Sequence, residues 1–117
     1  MPITVNDLVR AFHNGDSTFN YREGEFKFKW APRDDPEITW LAIVELSRQP
    51  LSDEQIALLA AGPLEDVLAH HGEAFIDRVE REARVYRAFR HLLGGVWRNS
   101  IPEPVWIRIQ KIRGKPW

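Results

Sequence analysis

The chain contains no cysteine, which excludes a disulfide framework, a thiolate nucleophile and a thiolate metal site. Its start, Met1-Pro2-Ile3-Thr4-Val5-Asn6-Asp7, lacks the basic residues and apolar run of a secretory signal. No apolar stretch approaches the roughly 20 residues a helix needs to cross a bilayer. A cytoplasmic protein without membrane contact is therefore expected. Gly94-Gly95 has no following lysine and lacks phosphate-loop spacing. Ser17, Ser47, Ser52 and Ser100 stand in no nucleophile motif. No repeat of fixed period occurs. These absences predict a non-enzymatic protein without a cofactor.

What is present is ordinary in bulk and uneven along the chain. At 117 residues, 44% hydrophobic and 28% charged, one domain is expected, burying about two thirds of its unfolded surface. The net charge is −1. Residues 1–77 nevertheless hold 6 basic and 14 acidic side chains, a balance of −8, and residues 78–117 hold 10 and 3, a balance of +7. Such polarity marks either a partner surface or two halves that pack as complementary faces.

Start and stop signals divide most of the chain into helices. Thr4 with Asp7 resembles a capping box and opens a short helix through Phe12. Asp35-Pro36-Glu37 reads as N-cap, first-turn proline and dipole-complementing acid. The following Ile38, Trp40, Leu41, Ala42, Ile43, Val44 and Leu46 predict a buried helix, apolar nearly all round. Ser52 with Gln55 is a second capping box. Gly62 is expected to close that helix in the left-handed conformation and Pro63 to start another, which Gly72 ends. A long amphipathic helix from Glu73 carries Phe75, Ile76, Val79, Ala83, Tyr86, Phe89 and Leu93 inward, up to Gly94-Gly95. Pro102 to Ile112 gives the last helix, with Val105, Trp106, Ile109 and Ile112 inside. Short connections predict an all-α domain of five or six antiparallel helices, a bundle or short solenoid-like array.

Residues 13–33 resist this pattern. From Phe19 to Trp30, aromatic and polar residues alternate around Glu23-Gly24, which argues a hairpin. An isolated hairpin is marginal in water and must lie on the helices, so an aromatic loop and an irregular helix stay open.

Four motifs carry a family resemblance: Gly62–Leu68 (GPLEDVL), His71–Arg78 (HGEAFIDR), Arg90–Trp97 (RHLLGGVW) and Ile101–Trp106 (IPEPVW). In order and content they resemble a family of small bacterial proteins of unknown function, over roughly residues 36–112. The resemblance implies an all-helical domain and no particular activity. Relatives tend to break the helix with Asp-Pro near Val85-Tyr86. This chain lacks that pair, so an uninterrupted helix is expected here.

Among candidate sites, Asp66, His70, His71, Glu73 and Asp77 bring metal-ligating types close together, with Asp66 and His70 four apart on one helical face. No cysteine or second histidine pair completes a tetrahedral set. His70 is suited simply to a helix C-terminus, so no metal site is assigned. Arg78, Arg81, Arg84, Arg87 and Arg90 recur every three residues. Asp77–Arg81 and Glu80–Arg84 are positioned as i,i+4 pairs worth a few tenths of a kcal/mol each. Arg87, Arg90 and Arg98 have no such local acid and, with Trp97, form the expected partner-binding set. Trp40 and Trp106 read as core, Trp97 as a plug at the end of the bundle, and Trp30 and Trp117 as unplaced anchors. A non-enzymatic protein-interaction module, of adaptor or immunity type, is the leading expectation, with an unidentified protein partner. A weak nucleic-acid binder using the basic C-terminal half is the alternative, although a strong one usually has a pI above about 9 and this chain has about 6.4.

Overall fold

Thr4 and Ser52 cap helices as their positions predict. The computed structural model describes residues 3–14 and 31–117, and every regular element within them is helical. In α1 (Val5–His13) the Asp7 N–H donates to Thr4 Oγ1 at 3.1 Å, while the Thr4 N–H donates to Asp7 Oδ2 at 3.0 Å. The same reciprocal pair joins Ser52 and Gln55 at the start of α4 (Asp53–Leu59). Ahead of it lie a single turn, α2 (Ala31–Asp34), and α3 (Pro36–Ser47). Asp35 occupies the N-cap of α3, but its side chain makes no capping bond. Its carbonyl instead accepts from the Thr39 N–H at 3.1 Å and hydroxyl at 2.9 Å, which satisfies the fully buried Thr39. The hairpin, loop or irregular-helix reading of residues 19–30 lies outside the described residues.

Three expectations about where helices break come out differently. Gly62-Pro63 does not end a helix: α4 continues through a π-helical turn, Ala60–Leu64, into α5 (Glu65–Val85). The wider turn takes in an extra residue and loosens the i→i−4 ladder where Pro63 has no N–H to donate. Burial of Ala60, Pro63 and Leu64 holds that turn against the core. Gly72 does not stop the chain either. The helix kinks one residue earlier, at His71 (φ −137°, ψ 24°), whose Nε2–H donates to the Arg33 carbonyl at 2.5 Å. Gly72 is needed for close approach, since a Cβ there would lie 3.0 Å from Val105 Cγ1 on α7 (Glu103–Ile112).

The third difference is at Tyr86, where an uninterrupted helix is expected. The backbone is extended there (φ −119°, ψ 116°), separating α5 from α6 (Arg87–Leu93). Tyr86 takes the Arg48 guanidinium on its ring, 4.0 Å from the centroid, and Arg48 also bonds Glu82 at 2.7 Å. The break re-aims α6 so that Phe89, Leu92 and Leu93 enter the core. The helix thus breaks near Val85-Tyr86 although no Asp-Pro pair stands there.

One core joins these helices. Trp40 of α3 sits at its centre, edge-on to Phe89 (centroids 5.5 Å apart) and tilted against Phe75 (6.0 Å). Leu8, Ile43, Leu46, Leu59, Leu64, Leu68, Val79 and Ile109 are all at 0% exposure around it. Removing side chains of this size from water contributes about 1.5–3 kcal/mol each. α1 packs on α3, while α7 and α6 pack on α5. Among the described residues no helix is long and apolar enough to cross a membrane.

Candidate functional site

The last four carbonyls of any helix lack intrahelical partners, and those of α6 are all accounted for. Leu92 and Leu93 accept from Gly95 and Val96, tightening the last turn, and His91 accepts from Gly94 at 3.0 Å. The chain beyond α7 completes the set: Gly114 N–H donates to the Arg90 carbonyl at 2.9 Å, and Trp117 Nε1–H to that of His91 at 2.8 Å. The Trp117 backbone N–H donates to Gly94 at 3.0 Å. Its indole stacks on the His91 ring, with centroids 5.3 Å apart and planes 22° apart. A Cβ on Gly95 would lie 2.4 Å from Trp117 Cζ2, and one on Gly94 would lie 2.5 Å from the Lys115 carbonyl oxygen. The two glycines thus end a helix and also make a seat for the tail.

From that seat the chain runs through a short exposed loop. Val96 and Ile101, both 2% exposed, anchor its ends, and Asn99 turns it with φ 40°, a left-handed conformation that asparagine tolerates. The Asn99 side-chain amide donates to Glu65, fixing the loop to α5. Trp97 is therefore held outward, 68% exposed. It does not plug the bundle; Trp117 takes the place beside Gly94-Gly95. Arg98 folds back so that its Nε–H donates to the Ile101 carbonyl at 3.3 Å.

Trp97, Arg98, Trp106, Arg113 and Trp117, with Val96 at the base, line an open groove of about 440 Å³. Trp106 is half-buried against the core, and the Arg113 guanidinium lies over its ring, 5.1 Å from the centroid. Among the described residues no Asp or Glu side chain lines the groove. Of the expected partner set, the structure brings Trp97 and Arg98 together and leaves Arg87 and Arg90 out. Arg87 is exposed on the first turn of α6, and half-buried Arg90 supports the tail through its carbonyl. Trp106 joins the site because α7 packs on α5, and Arg113 and Trp117 because the tail folds back onto α6.

Four arginines outside the groove bind carboxylates. Asp77 and Glu80 do not pair along α5 as the spacing predicts; both bind Arg108 of α7, at 2.6 and 2.5 Å. The Arg108 hydrogen bonds hold the Glu80 carboxyl below its ordinary pKa, overcoming the opposing effect of burial. Arg78 reaches Glu37 at 2.6 Å. Arg78–Glu37 and Arg108–Asp77 both join the basic C-terminal part of the chain to its acidic part. His70 and Glu73 are exposed and His71 is tied to Arg33. Among the described residues no three of His, Asp and Glu converge as metal ligands.

No curated protein and no solved structure matches the chain. Residues 14–117 match the model of a family of unknown function, DUF6869, and the chain belongs to that family.

Proposed function

We propose that this domain is a protein-interaction module of adaptor type whose contact face is the groove between the 97–101 loop, α7 and the tail. The observation that carries this reading is the outward Trp97, held at 68% exposure by two buried anchors and an Asn99 turn. Tryptophan and arginine dominate binding energy at protein interfaces, and here three tryptophans and two arginines share one groove. The test is comparative affinity purification from source cells. A companion retained by the wild-type chain should be lost from Trp97→Ala/Arg113→Ala and kept by Arg81→Ala/Arg84→Ala, which alters exposed α5 arginines away from the groove. Loss from both variants, or from neither, refutes the assignment of the face.

The second reading, weak single-stranded nucleic-acid binding, is favoured by the same pairing of indole faces with guanidinium groups. It predicts a log–log salt slope of about −0.7 per phosphate contact. Binding that salt leaves unchanged would remove it.

A further inference from the structure

We infer that the groove receives an acidic protein segment carrying one bulky apolar or aromatic side chain. This rests on the groove being the contact face and adds the chemistry of what enters it. The chain holds 17 acidic residues, and four arginines outside the groove, Arg33, Arg48, Arg78 and Arg108, bond carboxylates. Arg98 and Arg113 do not, among the described residues. Arg98 has one nitrogen on a backbone carbonyl at 3.3 Å, and Arg113 lies on an indole face. Neither contact occupies the terminal N–H groups, which the described residues leave for a ligand. A guanidinium so held presents the fork that carboxylates match in bidentate fashion.

The apolar half of the recognition comes from Val96 and the three indoles. Ligand clefts typically run from about 300 to 1,000 Å³, so a groove of about 440 Å³ has room for one large side chain and its neighbours. An exposed indole face stacks well on another aromatic ring. The charge favours an acidic flank over a nucleic-acid strand. Affinity for a strand comes from neutralising a run of phosphates, whereas this groove offers two guanidinium groups in a chain of net charge −1.

The experiment selects a random peptide library displayed on phage against the full chain, then titrates the most enriched peptide by fluorescence anisotropy. The expected consensus places Asp or Glu on either side of an aromatic or leucine residue. Arg98→Gln/Arg113→Gln should weaken that peptide by about tenfold or more, the loss expected from charge-assisted hydrogen bonds. Thermal unfolding, measured alongside, should be unchanged. A neutral or basic consensus, no enrichment, or binding indifferent to the double substitution overturns the inference. So does a single-stranded oligodeoxythymidylate that binds more tightly than the selected peptide. A neutral consensus combined with a companion protein lost from Trp97→Ala/Arg113→Ala sinks only the acidic segment and leaves the contact face standing.

Discussion

At the scale of single residues, Gly95 is where helix ending and tail docking meet. A methyl group there would lie 2.4 and 2.5 Å from two carbons of the Trp117 ring, closer than any real contact. The ring is pinned by its Nε1–H bond to His91 and its backbone bond to Gly94, so it cannot slide away without losing both. Gly95→Ala should therefore cost about 1–3 kcal/mol, the usual range for forced overpacking, and should shift the Trp117 indole N–H resonance. In a Trp117→Ala background the same change should cost much less, because the clashing ring is gone. Equal costs in the two backgrounds, read by denaturant unfolding, would place the penalty in the backbone rather than in the seat.

At the scale of elements, α7 is fastened to α5 by a buried seam and by one charged clamp. The seam is Val105 against Gly72, with Ile109 at 0% exposure. The clamp is Arg108, bidentate to Glu80 and also bound to Asp77. Because these bonds lower the folded-state pKa of Glu80, its contribution is fully present above the unfolded-state value. It is lost as pH falls through the folded one. Stability should decline on acidification from near the ordinary value of 4.5 downward. Glu80→Gln should flatten that part of the profile while lowering stability at neutral pH. A profile whose slope is unchanged by Glu80→Gln would show that the clamp does not contribute. The elements were legible in sequence where the signal is local. Both capping boxes join residues only three apart, and they form as written. Gly62-Pro63, Gly72 and Tyr86 were misleading because tertiary packing decides them. A buried Pro63 is accommodated by a π turn, Gly72 serves the approach of Val105, and Tyr86 breaks the helix over Arg48. None of those partners is near in sequence.

At the scale of the whole molecule, the uneven charge serves packing between the two parts of the chain, and on the proposed reading it serves the groove as well. Two of the arginine–carboxylate contacts, Arg78–Glu37 and Arg108–Asp77, join the basic and acidic parts, as one reading of the sequence expected. That Trp97 and Arg98 share one candidate face was legible from the missing local acid of Arg98. Trp106, Arg113 and Trp117 were not, since only the packing of α7 on α5 and the folded-back tail place them beside it; the doubled glycine was the one hint of a close approach. Folding and binding should then respond differently to salt. Raising ionic strength from about 0.1 to about 1 M shortens the Debye length from about 10 to about 3 Å. The intramolecular pairs are largely exposed, with side-chain exposures such as 45% and 53% for Arg78 and Glu37, and such pairs contribute only about 0–1 kcal/mol each. Stability resting on the apolar core around Trp40 should therefore change little. Arg98 and Arg113 bind no carboxylate among the described residues, so on the proposed reading the association of an acidic segment should slow and weaken markedly over the same range. Parallel measurements of the unfolding midpoint and of peptide affinity against salt decide the point. A midpoint that falls steeply while affinity holds would mean that the charge polarity serves the fold and not the groove.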